Sequence, residues 1–396
     1  MKAGILSVLL VLIPGATATD FLPMTPVGAE CIPVSVSVSG RDKALVDDAE
    51  AQLIDDIDFS GLLETAEEGY AQVETVVYSD DRGILLRASV TCAGEMLMVK
   101  EYSGSSVYPL VHALADDLVY QITGEQGIAS TRIAYIVRDS GTYHLAVKNL
   151  DPRPPFYILT DDDVITTPAW SPDGDLIAFT AFRSDNGDLY LYSLSDGTAA
   201  KVLSRGGLNT SPAWSPDGRS IALTLSESGN SDIYLMDVDS WDLQRLTARN
   251  SIETSASFSP TGNQIVFTSD RLGYPQLYVM DSGGGGADRA TFSHGYCDSP
   301  AWSPAGDRIA YTAMVGGDFH IFVMNADGSD IRQVTFEGTL NEDPVWSPTG
   351  RHLAFSSDRD GVRAIYILEL NKLTVRKLTE GAESYCATWS PLRERD

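Results

Sequence analysis

The feature that most constrains this chain is a motif that returns at a fixed interval. Residues 168–174 read PAWSPDG, and residues 212–218 (PAWSPDG), 256–262 (ASFSPTG), 300–306 (PAWSPAG) and 344–350 (PVWSPTG) repeat it, with a sixth, shorter copy at 387–391 (ATWSP). The aromatic residue falls at Trp170, Trp214, Phe258, Trp302, Trp346 and Trp389, at intervals of 44, 44, 44, 44 and 43 residues. Five of the six tryptophans stand at this one position, so it is an architectural position. Units of this length cannot bury their apolar faces alone and must stack or close into a ring.

The contents of one period decide between these. After each motif comes a short alternating run such as Ile177-Ala-Phe-Thr or Ile265-Val-Phe-Thr, and a dozen residues later a second, such as Leu189-Tyr-Leu-Tyr or Leu277-Tyr-Val-Met. A third ends at Ser204, Thr247, Thr291, Thr335 and Thr379. With the strand that carries the aromatic residue, this makes four short strands per repeat, each bounded by Gly, Asp, Asn or Pro. Four antiparallel strands every 40 to 50 residues read as a β-propeller blade. Ile133-Ala-Tyr-Ile continues the phase 44 residues before Ile177 without a Trp-Ser-Pro ahead of it, whereas Trp389 has no strand after it. The two half-units complete one another, so residues 387–391 pair beside 132–137 and close a six-bladed ring without exposed edges. Ser-Pro-Asp-Gly then makes a tight turn, and the indoles are expected between neighbouring blades.

The rest of the chain reads differently. Residues 1–18 carry one Lys2, an apolar run and an Ala16-Thr17-Ala18 cleavage pattern, which together describe an export signal too short to span a membrane. Glu30, just before Cys31, does not suit a lipid-attachment box, so an exported protein without membrane insertion is expected, cleaved after Ala18. Residues 19–30 read as a flexible arm. Residues 31–127 show no repeat, and their order of β, α, β, β, β, α, with helices over 42–57 and 107–122, suits a small α/β domain with one sheet covered by helices. The expected domains are thus the signal (1–18), the arm with the α/β domain (19–127) and the propeller (128–396).

Charge excludes one class of partner. The chain has a formal net charge of −27, spread as −15 over residues 19–127 and −13 over 128–396. Nucleic-acid binding needs the opposite sign. The acidity either steers a basic partner or solvates the surface of a protein from a salt-rich habitat. Four cysteines in an exported chain invite disulfides, and Cys31–Cys92 within the small domain is the preferred pair. Cys297 and Cys386 either bridge across a narrow mouth or remain thiols.

Catalytic patterns are absent: there is no Gly-x-Ser-x-Gly elbow, His-Glu-x-x-His pair or phosphate loop, and the five histidines show no ligand spacing. Residues 325–330 (NADGSD) resemble part of a calcium loop but read as a plain turn. No cofactor or metal is called for. The informative segments precede each Trp-Ser-Pro strand, where propeller loops converge on the axis. Four residues ahead of each motif stand Val164, Leu208, Ile252, Tyr296, Leu340 and Glu383, five of them apolar in loops that are ordinarily polar. Polar neighbours follow, among them Asn209, Ser211, Glu253, Asp298, Asn341 and Glu342. Such a ring is either a protein-docking surface or a cap folded down on the core.

The order of export signal, α/β domain, the run ITGEQGIASTRIAYIV at 122–137, the repeats and a terminal ATWSPL, together with LIDDIDFSGLL at 53–63, resembles the TolB family of periplasmic propellers. The resemblance implies a non-enzymatic scaffold of the Tol–Pal system and favours the docking ring over the cap. It implies a peptidoglycan-associated lipoprotein, Pal, docked at the propeller mouth on positions including Leu208, Asn209 and Ser211. It further implies a TolA-type inner-membrane partner reached through the arm, at Asp20, Phe21 and Leu22, and a monomer serving outer-membrane integrity and division, with colicins importing themselves through the same surface. Leu208 departs from the polar residue, such as His, common in that family. The alternatives are a TolB-like propeller with another protein partner, or a propeller hydrolase or lyase, which needs His, Asp or Glu converging in the channel.

Overall fold

The computed structural model describes residues 31–183 and 186–392. The expected export signal, its cleavage site and the arm with Asp20, Phe21 and Leu22 lie outside the described residues. The described chain forms two compact units that divide between Gly127 and Ile128.

The first unit is a five-stranded sheet with two helices. Strands β1 (Ile32–Gly40), β2 (Leu63–Thr65), β3 (Ala71–Asp80), β4 (Gly83–Cys92) and β5 (Glu95–Gly104) stand in the order β2-β1-β3-β4-β5. Helix α1 (Lys43–Phe59) crosses between the parallel strands β1 and β3, and α2 (Val107–Thr123) follows β5. Period-two alternation buries Val73, Thr75 and Val77 of β3 while Gln72 and Glu74 face solvent. Asp42 caps α1 by accepting from the Leu45 amide at 3.3 Å, and Gly124 ends α2 in the left-handed conformation at φ 77°. A buried polar contact ties the helices together: Asp56 of α1 lies 2.7 Å from His112 Nδ1 of α2 and accepts from Gln52 at 2.8 Å.

The expected Cys31–Cys92 bridge is not formed. Val34 pairs with Ala71 and Ala71 with Cys92, so β3 lies between β1 and the strand that ends in Cys92. Two strand spacings, roughly 9.5 Å, separate the two strands, beyond the reach of a disulfide at about 7 Å. Cys92 is instead buried, and burial pushes its thiol above its ordinary value.

The second unit is a six-bladed propeller of four-stranded antiparallel sheets. The innermost strands of blades II to VI are Ile165–Trp170, Asn209–Trp214, Glu253–Phe258, Cys297–Trp302 and Asn341–Trp346. Blade I is a composite: its inner strand, Glu383–Trp389, comes from the far end of the propeller sequence and pairs antiparallel with Arg132–Asp139, matching Thr388 to Ala134 and Trp389 to Ile133. Trp389 Nε1 donates to Thr131 Oγ1 at 2.8 Å and fastens this closure.

The core lies between blades. Leu189 and Ala178 of blade II pack with Ile221, Leu223 and Tyr234 of blade III, and Val323 and Val334 of blade V pack with Trp346 and Phe355 of blade VI. The repeat indoles sit at these seams, Trp214 Nε1 donating to Ala169 O at 3.2 Å and Trp346 Nε1 to Ala301 O at 2.9 Å. The motif serine makes the turn: Ser171 Oγ accepts from the Leu176 amide at 2.9 Å, and Ser215 Oγ from the Ser220 amide at 2.9 Å. The turn glycine Gly306 has φ 78° and lies so close to Pro260 that a Cβ would stand 3.1 Å from its ring. The recurring threonine also has a purpose: Thr247, Thr291, Thr335 and Thr379 each accept the amide of a third-strand residue where the ladder ends, at 2.8 to 3.0 Å.

Candidate docking site at the propeller mouth

At one end of the propeller, the loops entering the inner strands meet the turns joining the second and third strands. The backbone there is fully specified. The carbonyls of Val164, Leu208, Ile252, Tyr296 and Leu340 accept amides from those turns at 2.9 to 3.2 Å. The side chains remain available: Val164, Leu208 and Ile252 are 39%, 38% and 54% exposed, while Tyr296 and Leu340 are half-buried. An apolar ring therefore faces outward at the mouth. The sixth position, Glu383, pairs loosely with Arg138 at 3.6 Å.

The next residue of each strand turns inward, which corrects three of the expected docking positions. Asn209, Glu253 and Asn341 have no solvent exposure. Asn209 Nδ2 donates to the carbonyls of Gly187 and Arg205 at 2.6 and 2.9 Å. Asn341 Nδ2 donates to those of Phe319 and Glu337 at 3.1 and 2.9 Å, and Glu253 accepts from Arg271 at 2.5 Å. Period-two alternation places these side chains behind the ring, where they hold its loops instead of meeting a partner. Cys297, at the same position, is buried too, and Cys386 lies two residues past the corresponding Ser384, so no bridge joins the two.

Two residues beyond Asn209, and at the same place in every inner strand, a β-bulge begins, which the sequence did not announce. Thr167, Ser211, Ser255, Ser299, Asp343 and Cys386 all take a left-handed conformation, with φ between 46° and 56°. In blade II the bulge opposes Phe179, between the pairs Ala178–Ala169 and Thr180–Thr166, and a register shift falls at the same place in every blade. Residues in and beside the bulges of successive blades touch around the axis: Ser299 Oγ donates to Asp343 at 3.0 Å, Cys386 Sγ lies 3.6 Å from Asp343, and Thr166 Oγ1 lies 3.7 Å from Cys386 Sγ.

This inner lining is electrostatically lopsided. Blades II to IV contribute Thr166, Thr210, Ser211, Thr254 and Ser255, whereas blades V and VI contribute Asp298, Glu342 and Asp343. Arg363 reaches Glu342 at 2.7 Å and Asp343 at 3.6 Å. Burial pushes the Glu342 and Asp343 carboxyls above their ordinary values; Arg363 opposes this for both, and Asp298 adds to it. Burial likewise pushes the Cys386 thiol up to about 12. It is not poised as a nucleophile. Ser211, Asp298 and Glu342 are partly exposed at the channel wall, below the ring.

Sequence reasoning also missed a group of exposed side chains on blades IV and V near the same end: Leu272, Tyr274, Phe292, Met314, Val315 and Phe336. The signal was present in Phe292 and Phe336, which follow Thr291 and Thr335 at the repeat interval. Residues 325–330 form a turn closed by Gly328 N donating to Asn325 O at 2.9 Å. Among the described residues, no group of three or more His, Cys, Asp or Glu is arranged to hold a metal ion, and no helix is long and apolar enough to cross a membrane.

Comparison with known proteins agrees with this architecture. The family model described as the TolB beta propeller domain matches residues 119–321 and 293–395. Curated relatives named Tol-Pal system protein TolB include those of Anaeromyxobacter sp. (strain K), 37% identical over 106 residues, and Legionella pneumophila (strain Corby), 32% identical over 128 residues. These alignments cover 26% and 31% of this chain and span only 24% and 30% of the relatives' own length. In fold, the chain is similar to TolB from Acinetobacter baumannii, with a TM-score of 0.82 at 24% identity over 92% of this chain and 98% of that one. The propeller alone is a common shape, since a chain of the nidogen/laminin complex matches 66% of this chain with a TM-score of 0.56 at 13% identity. With its α/β unit, its composite first blade and a family match that runs through the whole ring, this chain belongs to the TolB β-propeller family.

Proposed function

We propose that this chain is a non-enzymatic periplasmic scaffold of a Tol–Pal system, whose propeller mouth docks the domain of a Pal-type peptidoglycan-associated lipoprotein. The observation that carries this reading is the outward ring of Val164, Leu208 and Ile252, flanked by Tyr296 and Leu340 on a backbone that is already hydrogen-bonded. Exposed apolar side chains on a rigid frame suit a partner that buries them, with little ordering cost. In this reading residues 1–18 are the export signal, 19–127 the arm and α/β domain, and 128–396 the propeller. Asp20, Phe21 and Leu22 of the arm link to a TolA-type protein of the inner-membrane TolA/Q/R complex, and the protein acts as a monomer in outer-membrane integrity and constriction at division. The Asn209, Glu253 and Asn341 side chains support the ring from behind.

The test is recovery of partners from periplasmic and outer-membrane extract on the mature protein, beside Leu208→Asp and Leu340→Asp. The expected result is a peptidoglycan-binding lipoprotein on the parent protein that both variants lose while keeping their thermal transition. Recovery unaffected by either substitution moves the interface elsewhere. Recovery of no lipoprotein overturns the reading.

A further inference from the structure

We infer that the partner docked at this mouth presents a basic side chain, Lys or Arg, at the centre of an apolar tip. This rests on the docking reading above and names the chemistry that the mouth selects. The ring itself asks only for apolar contact. The channel beneath it asks for charge of one sign. Asp298, Glu342 and Asp343 stand together on one wall, and Arg363 is the cation that reaches two of them. The contacts of Asp298 are with neutral donors: Thr268 Oγ1 at 2.8 Å, the Ser299 amide at 2.7 Å and the Tyr296 hydroxyl at 3.2 Å. Among the described residues, three carboxylates therefore share one nearby guanidinium.

A partner seated on Val164, Leu208, Ile252 and Leu340 removes water from this wall. An uncharged tip leaves the surplus negative charge less solvated than before, and an acidic tip adds repulsion. A Lys or Arg side chain entering the channel offsets both effects, and the threonine and serine wall of blades II to IV leaves its stem uncharged neighbours. The same sign operates at a distance, because the chain as a whole carries −27 and draws a cationic tip toward it.

The experiment measures binding and association rates for the recombinant periplasmic domain of the Pal-type lipoprotein encoded in the same genome, at several salt concentrations. The proteins compared are the parent, Leu208→Asp, Asp298→Asn, Glu342→Gln and Ser255→Asp, each with its melting curve. Ser255→Asp places a fourth carboxylate at the blade IV counterpart of Asp343, so it tests the idea by gain. We expect Leu208→Asp to abolish binding, and the two neutralising variants to weaken it roughly tenfold and flatten its salt dependence. Ser255→Asp is expected to strengthen it several-fold. Binding that Leu208→Asp removes, but that neither neutralisation nor the added carboxylate changes, overturns the basic tip and leaves the docking reading standing. Tighter binding after neutralisation also overturns it. A parent protein that does not bind the domain overturns both.

Discussion

Beside Leu208, the docking surface depends on a buried side chain that the docking reading places away from the partner. Asn209 is fully buried and holds the loop through Gly187 and Arg205. Asn209→Ala leaves the Arg205 carbonyl without this donor and the Gly187 carbonyl with the residue-209 amide alone, and we expect a loss of about 1–3 kcal/mol in urea unfolding together with weaker docking at unchanged ring chemistry. An unchanged unfolding midpoint would show that the loop holds itself. The bulge makes the opposite kind of demand. Ser255 sits at φ 56°, a conformation costing L-residues on the order of 1 kcal/mol, so Ser255→Val is expected to destabilise by about 1–2 kcal/mol and Ser255→Gly to be neutral or stabilising. Equal stability of the two variants would argue against the strain. Neither role was legible in the sequence. A left-handed position is ordinarily announced by Gly or Asn, whereas here Thr, Ser, Asp and Cys fill it, and a polar residue beside an apolar loop position looks as though it faces a partner. The positions of the ring residues were legible, because five apolar side chains fall at one repeat position in loops, whereas their facing outward and not down on the core was not.

Elements repeat the same contrast. Blade strands could be read from sequence because each combines alternation with a strict interval, and the closure because two half-units shared one phase. Strand β2 is three residues long, too short to alternate, and the Cys31–Cys92 pairing failed because strand order, which sequence does not carry, sets β3 between the two strands. Closure gives a direct test: Trp389→Ala removes a buried indole and its bond to Thr131, and is expected to cost about 3–5 kcal/mol in the propeller transition. A cost below 1 kcal/mol would mean that the composite blade does not close the ring. In the small unit, α1 and α2 share Asp56, whose carboxyl is raised by burial to about 6 from an ordinary 3.8, with His112 and Gln52 opposing. A raised carboxyl favours the folded state while protonated, so its contribution is present below about pH 4 and fades as pH rises through 6. Asp56→Asn should therefore compare more favourably with the parent at pH 7 than at pH 4.5 in melting experiments. A difference that is the same at both pH values would remove Asp56 from the account.

At the scale of the molecule, the question is which part the docking reading needs. Every hydrophobic cluster described for the propeller is made of propeller residues, from Ala134, Ile136 and Ile165 at the first seam to Trp346, Leu353 and Tyr366 at the last. The strand that completes blade I comes from the propeller's own far end, so the strand pairing that closes the ring lies within residues 128–396. Residues 128–396 hold all of the apolar ring, the bulges and the acidic wall. It follows that this segment, expressed alone, should fold with one cooperative transition and bind the lipoprotein domain within about threefold of the mature protein, since a preformed surface loses little when a unit that does not build it is removed. Calorimetry and titration of the segment check this together. A folded segment that no longer binds would place part of the interface in the first unit or the arm, whereas a segment that does not fold would show that the ring needs the α/β unit for its stability.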